Sequence, residues 1–283
     1  MKYLIFSLIK IISSKGFRDR PLITIKNFLI LTYCLIFNKN YTFKINFGNN
    51  FFYFNFFPTE KGHGGRAFLI FKEKIEPLME FGWKLMSNDS VIIDGGSNQG
   101  IFSLAFASFS KSIKVFAIEP FKYCHEILNK NIEINKFKNI KIIKNILSNK
   151  IAKYNLDYSN DISTASIIHN WGGRKILKIQ STTIDSIREK FKLKKIDIIK
   201  LDVEGAEILA IKGASKTILQ CRPIIILECN MSQYSQISFL KKLGYKNYLF
   251  NYNGFLIKIK KLNKGVPNLI LLTKRHLNNL RVV

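Results

Sequence analysis

The spacing of hydrophobic residues changes along this chain, and each change predicts a different kind of element. Near the start the apolar residues come in runs: Met1 to Ile12, broken by Lys2 and Lys10, and Phe28 to Phe37, bounded by Lys26 and Asn38. Neither is long enough for a span of about 20 residues, so the second run predicts a buried or interfacial helix. Alternation follows. Tyr41, Phe43, Ile45 and Phe47, then Phe52, Phe54 and Phe56, flank Gly48-Asn49-Asn50, the pattern of a β-hairpin with one aromatic face against the main body. Pro58 to Arg66, with Gly62, Gly64 and Gly65, predicts a connection, and Phe68 to Met86 a helix that Pro77 kinks or divides.

From Ser90 the pattern becomes one of short, mainly apolar segments separated by helical stretches, and Val91–Ile93 is continuously apolar. Val91–Ile93, Ile113–Ile118, Ile140–Ile146, Ile196–Leu201, Ile224–Glu228, Tyr245–Phe250 and Asn268–Thr273 predict strands. Phe102–Phe109, Tyr123–Asn135, Ala206–Leu219 and Gln233–Leu243 predict the helices between them. Strands buried on both faces and alternating with helices imply a parallel, doubly wound, Rossmann-like α/β sheet. The chain therefore divides into an N-terminal extension of helices and a hairpin, residues 1–60, and an α/β domain, residues 61–283. Short strands at Tyr154–Leu156 and Ile176–Ile179 bracket a polar stretch, Ser159 to Gly173, where substrate-specific contacts are expected. His169 and Trp171 lie in it, and His63 lies in the glycine-rich connection.

Candidate chemistry begins at Asp94-Gly95-Gly96-Ser97-Asn98-Gln99-Gly100, directly after one predicted strand and before a helix. Open α/β sheets bind ligands at the carboxyl ends of their strands, where Asp94 sits. Gly95 and Gly96 permit a tight turn and close approach of a ligand; Gly100 lets the helix start close to the strand. Glu119 ends the next strand, where an acid commonly accepts hydrogen bonds from both ribose hydroxyls. A dinucleotide fingerprint would read G-x-G-x-x-G with bare N–H groups facing a pyrophosphate. This loop has a different spacing, and its leading acid repels a pyrophosphate but suits an ammonium group, which favours S-adenosylmethionine over NAD. The expected cofactor set is Asp94, Gly95, Gly96, Asn98, Gly100, Glu119 and Pro120, with Ser148, after the third strand, placed near an adenine amine.

Composition changes this picture little. Hydrophobic residues make up 47% and aromatics 13%, enough for a sizeable core. The net charge of +26 comes mostly from Lys scattered among Ile, Asn and Phe, as an AT-rich genome would produce. A membrane surface or an anionic glycan is the other reading; Arg–aromatic stripes or an RNA module, which would favour specific nucleic-acid binding, are not seen. Cys34, Cys124, Cys221 and Cys229 have no short paired spacing, so no zinc knuckle or redox dithiol is expected, and a reducing, cytoplasmic setting fits. The first apolar run lacks a cleavage site. With Lys10, Lys15, Arg18, Arg20 and Lys26 nearby, weak peripheral attachment to an anionic bilayer is an expectation to test.

Several motifs in order resemble one family. Asp94 to Leu104 (DGGSNQGIFSL), Ala117-Ile118-Glu119-Pro120, Asn131 and Asn135, Ser181 to Asp185 (STTID), Ile198 to Glu207 (IIKLDVEGAE), Gly213-Ala214 and Pro223 to Glu228 (PIIILE) look like FkbM-type S-adenosylmethionine-dependent methyltransferases. The resemblance covers about Phe68 to Glu228; the first sixty residues carry none of these motifs. The family's loop more usually reads D-V-G-A-N-x-G, from which Gly96 and Ser97 depart mildly. The resemblance implies a class I methyltransferase sheet and O-methylation of a sugar, glycan or secondary-metabolite hydroxyl. A hydroxyl acceptor needs a general base, and Lys200, Asp202, Glu204 and Glu207 cluster where the Ile196–Leu201 strand ends. Asp202 is the expected base, Glu204 a base or substrate ligand, and Glu207 a helix-dipole acid. Glu228, ending the next strand, is a weaker candidate. No third metal ligand accompanies the carboxylates, so no metal is expected. Rival readings are a nucleotide-linked oxidoreductase, which the loop spacing disfavours, and a basic, non-catalytic membrane- or nucleic-acid-binding protein.

Overall fold

The computed structural model describes residues 11–58, 64–158, 165–167, 175–228, 238–259, 268–278 and 280. The hairpin pairs β1 (Tyr41–Phe47) with β2 (Asn50–Phe56) through the turn Gly48-Asn49, Phe47 facing Asn50. Its inner residues Ile45, Phe47, Phe52, Phe54 and Phe56 are all fully buried. The extension is not free-standing. Those aromatics belong to one apolar cluster with Ile92, Leu104 and Phe106, and Phe47 meets Phe106 edge to face. Asn131 and Asn135, one helical turn apart on the helix Lys122–Asn135, act as an edge strand for β2. Their side-chain oxygens accept from the Asn55 and Tyr53 amides at 2.6 and 2.7 Å.

The predicted helix after the glycine-rich connection is divided at Pro77, giving Gly64–Phe71 and Pro77–Phe81 with 3₁₀ turns after each. Glu76 lies extended before the proline, as a pre-proline residue should. The main sheet then comprises β3 (Val91–Gly95), β4 (Lys114–Ile118), β5 (Ile140–Ile143), β9 (Ile198–Leu201), β10 (Ile224–Leu227), β11 (Lys246–Phe250), β12 (Leu256–Lys258) and β13 (Leu269–Leu272), in the order β12-β11-β13-β10-β9-β3-β4-β5. The run β5-β4-β3-β9-β10 is parallel. The late strands depart from the all-parallel expectation: β13 runs antiparallel to β10 and to β11, and β11 to β12. Two further expectations change in detail. The third strand ends at Ile143, and Ile146–Leu147 (β6) joins a small second sheet with β7 (Lys153–Tyr158) and β8 (Lys175–Thr182). The helix expected over Ala206–Leu219 breaks into Glu207–Lys212 and Ser215–Cys221 at Gly213, where a Cβ would come within 2.1 Å of the Ser148 carbonyl oxygen.

Alternation on the buried strands divides two cores. Ile92, Val115, Ala117, Ile198 and Ile226 face the hairpin side, while Ile93, Phe116, Ile199, Leu201 and Ile225 face the helices after β8. The chain steps from β3 outward to β4 and β5, then returns to β9 on the other side of β3, so the crevice forms where β3 and β9 end. In that pair Asp94 is the register partner of Lys200. Two ionisable side chains thus stand side by side on neighbouring buried strands, on the face that the extension covers.

Candidate active site

Two adjoining cavities open at the carboxyl ends of β3, β4, β9 and β10. The larger, about 210 Å³, is lined by Asn98, Glu119, Pro120, Leu147, Asp202 and Glu228, among others. The smaller, about 140 Å³, includes Phe68, Asp94, Ser97, Gln99, Phe102 and Lys200 in its wall. Gly96, Asn98 and Asp202 line both.

The glycine loop is shaped by close approach as well as by turn geometry. Gly96 has φ +73°, and a Cβ there would lie 1.8 Å from the Asp202 carbonyl oxygen, so only glycine lets the loop after β3 touch the loop after β9. Gly100, φ +85°, starts the helix Ile101–Phe109, with Leu128 filling the space its side chain would need. Set letter by letter against D-V-G-A-N-x-G, the departures are Gly95 and Ser97, not Gly96. The room a larger side chain would need at Gly95 is taken by Leu147 and Leu201. Asn98, at φ +49°, donates its amide to Glu119 Oε2 at 2.9 Å, and the Phe121 amide donates to Oε1 at 3.1 Å. Two backbone donors therefore aim the Glu119 carboxylate and leave each oxygen with further acceptor capacity. Burial pushes this carboxyl up to about 7.

In the smaller cavity Ser103 donates to Asp94 Oδ2 at 2.6 Å. Asp94 Oδ1, Ser97 Oγ and Gln99 Oε1 are buried without a hydrogen-bond partner. Buried polar atoms are nearly always satisfied, so three such atoms on one wall call for a ligand rich in donors. Burial raises the Asp94 carboxyl, and the Lys200 ammonium and the Ser103 hydroxyl oppose that rise. An amino-acid head bearing an ammonium would meet these acceptors, while a ribose would meet Glu119. The residues present fit S-adenosylmethionine.

Lys200 is the hub of the chemistry. It is almost wholly buried, with its Nζ 3.3 Å from Asp202 Oδ2 and 4.6 Å from the centre of the Phe102 ring. Burial opposes its charge, but Asp202, Asp94 and Glu76 outweigh that and hold the ammonium above its ordinary range. Asp202 and Glu228 are hydrogen-bonded carboxyls. Burial disfavours charge on Asp202, yet Lys200 and the Glu228 hydrogen bond outweigh it, leaving Asp202 below the usual carboxylate range. The hydrogen bond with Asp202, then burial, push Glu228 up to about 9. Lys200 lies beside Asp202, so a proton shared by the pair favours Glu228 and leaves the charge on Asp202. Glu76, just before Pro77, accepts from Asn268 Nδ2 at 2.6 Å and is pushed by burial up to about 7.

The other sequence candidates fall elsewhere. Glu204, at φ +50°, is an exposed rim residue of the larger cavity, and Ser166 Oγ donates to its carbonyl at 2.7 Å. Glu207 folds back beneath the loop, accepting from the Val203 and Gly205 amides at 3.0 and 3.2 Å, so it holds the loop in shape. Ser148 requires a correction. It is fully buried, absent from the cavity lining, and its hydroxyl donates to Tyr154 Oη at 3.0 Å; Asn145, Ile146 and Leu147 form the wall there instead. Asp185 of the STTID stretch accepts from the Lys216 and Thr217 amides and caps the helix Ser215–Cys221. Of the polar insertion, Ala165 and Ile167 line the larger cavity, while His63, His169 and Trp171 lie outside the described residues. Among the described residues no group of three or more His, Cys, Asp or Glu is arranged to hold a metal.

Comparison with known proteins gives three kinds of match. The sequence model of the methyltransferase FkbM domain matches residues 94–250, more than half of the chain. Among curated proteins the chain is 24% identical to methyltransferase sdnD of Sordaria araneosa, over 46% of this chain and 62% of that protein. It is 31% identical to the uncharacterized protein MJ1452 of Methanocaldococcus jannaschii, over 44% and 42%. The chain thus spans about half the length of the curated relatives it matches. Similar solved structures include methyltransferase FkbM from Methylobacillus flagellatus, at 17% identity and TM-score 0.43 over 73% of this chain and 53% of that one. Another is a putative methyltransferase from Streptococcus mutans in complex with SAH, at 11% identity and TM-score 0.40 over 68% and 91%.

Proposed function

This chain belongs to the FkbM methyltransferase family, with S-adenosylmethionine as its methyl donor, and from that premise we propose that it methylates a hydroxyl of a sugar, glycan or related secondary metabolite. The observation that carries this reading is the Asp202–Glu228 carboxyl pair, which lines the larger cavity while Asp202 also reaches the smaller. When bound, S-adenosylmethionine supplies an electrophilic methyl group on a sulfonium. Asp94, Ser97 and Gln99 would hold its amino-acid end, and Glu119 its ribose.

The chain's own residues then have to align the acceptor and receive its proton. A hydroxyl oxygen becomes strongly acidic only as its new bond to carbon forms, so a carboxylate of low basicity suffices as acceptor. Lys200 keeps Asp202 ionised for that purpose. Glu228, protonated, donates its hydrogen bond to Asp202 and fixes the carboxylate's orientation. Glu204 stands on the rim, where an entering substrate would pass it. An amine acceptor would arrive protonated and would need its proton removed before attack, which suits a stronger base than Asp202. The test is a panel of hydroxylated sugars and metabolites, scored by S-adenosylhomocysteine release and by mass-spectrometric location of the methyl group. Methyl on oxygen, lost in Asp202→Asn, supports the reading; methyl on nitrogen refutes it.

A further inference from the structure

The helix Pro21–Phe37 turns two of its polar residues inward. Thr24 and Asn27 are buried with Leu31 and Cys34, forming an inner stripe at spacings of three and four. Thr24 Oγ1 donates to the Arg20 carbonyl at 2.8 Å, and Asn27 Nδ2 to the Ile70 carbonyl at 3.0 Å. The first bond is local to the helix; the second, to the neighbouring helix Gly64–Phe71, fixes its rotation and leaves Leu22, Ile25, Leu29, Tyr33 and Ile36 as the opposite stripe. Leu22 is 80% exposed, Leu29 62% and Ile36 69%, and Phe37 continues the face with its ring against Tyr33. At 1.5 Å per residue this apolar strip is about 21 Å long. Strips of that size on a protein surface mark a place where something binds.

We infer that this face lies on an anionic lipid surface. Residues 1–60 hold eight Lys or Arg and two acids, Asp19 and Glu60. Exposed Arg18, Lys26 and Lys39 stand before, beside and just beyond the apolar stripe. A second copy of the chain would bring one surface of a +26 molecule against another, and like charges oppose that association. Anionic headgroups complement the basic residues while the acyl boundary takes Leu22, Leu29, Tyr33 and Ile36. Among the described residues no helix is long and apolar enough to cross a membrane, so the helix lies along the surface.

The test uses the full chain and two kinds of vesicle: pure phosphatidylcholine, and equal parts phosphatidylcholine and phosphatidylglycerol. Co-sedimentation with the mixed vesicles and weakening by salt are expected. Leu29→Glu with Ile36→Glu, both at exposed positions, should retain the melting temperature and weaken binding about tenfold or more. Lys241→Ala with Lys242→Ala makes the same change in net charge on the helix Ser238–Lys242 and should leave binding near wild type. Absence of vesicle binding overturns the inference, as does equal loss in both variants, which would mean general charge attraction. A lipid-free dimer that Leu29→Glu with Ile36→Glu dissociates would overturn it in favour of a second copy.

Discussion

Replacing Lys200 with Met removes one positive charge from the centre of the site while keeping most of the side chain's volume. The structure sets the expected size of the effect. At 3.3 Å from Asp202 Oδ2, Lys200 attracts that carboxylate by about 5 kcal/mol at an effective dielectric of about 20. The Asp202 side chain keeps 34% of its exposure, so water screens part of this, and about 1.5–3 kcal/mol is a fair remainder. At 1.36 kcal/mol per unit, the Asp202 carboxyl should titrate about 1–2 pH units higher in Lys200→Met. The assay is ¹³C NMR titration of labelled Asp and Glu carboxyls in the ligand-free protein, wild type against variant. The stability sign follows. Asp202 is held below its ordinary range, so it contributes stability above that range and loses it as pH falls. The variant should therefore lose most relative to wild type near neutral pH, and the gap should narrow in acid. An unmoved Asp202 titration in a folded variant would refute the assignment of Lys200 as the group that keeps the base ionised.

Two further outcomes follow from the same geometry. Gly96→Ala should abolish cofactor binding and lower stability by more than the roughly 1–2 kcal/mol of left-handed backbone strain, because its Cβ meets the Asp202 carbonyl. Gly244→Ala, at φ +85° with nothing within 4 Å, should cost only that backbone strain, as chemical denaturation of both variants would show. Glu76 and Glu119 are raised to about 7 and Glu228 to about 9, so the folded protein binds more protons than the unfolded chain above the ordinary carboxylate range. Their contribution to stability is complete in mild acid and falls as pH rises toward 9. The melting temperature should decline over that window, and Glu119→Gln should flatten the portion near pH 7.

The parallel half of the sheet was legible because β3, β9 and β10 each open on consecutive Val or Ile residues, as suits strands buried on both faces. The antiparallel ends were not, since β11 and β13 have the same composition whichever way they run. The place of the glycine loop in the fold could be read because an acid, three glycines and Glu119 occupy fixed places relative to strand ends. Glu76 could not. It stands alone before Pro77, far from the motifs in sequence, and only the tertiary fold brings it toward Asn268 and Lys200. Lys200 was visible as a charge in a buried strand, but its role depends on register with Asp94, which spacing does not encode. Ser148 failed for a local reason: one residue past Leu147 its side chain turns away from the cavity toward Tyr154. The apolar run ending at Phe37 predicted a helix correctly, but the face it buries carries the hydrogen bond from Asn27 to the Ile70 carbonyl, which no hydrophobic pattern reports.

The β3–β4 unit is assigned to S-adenosylmethionine and Asp202 to the reaction, and the two roles separate in isothermal titration of S-adenosylhomocysteine into wild type, Glu119→Ala and Asp202→Asn. Two hydrogen bonds to a charged carboxylate, at about 1.5–3 kcal/mol each, predict a loss of about 10²–10⁴ in affinity for Glu119→Ala. Asp202→Asn should bind within a few-fold of wild type and turn over about 10²–10⁴ times more slowly. Equal loss of binding in both variants, or binding of NAD in place of S-adenosylhomocysteine by wild type, would contradict the account.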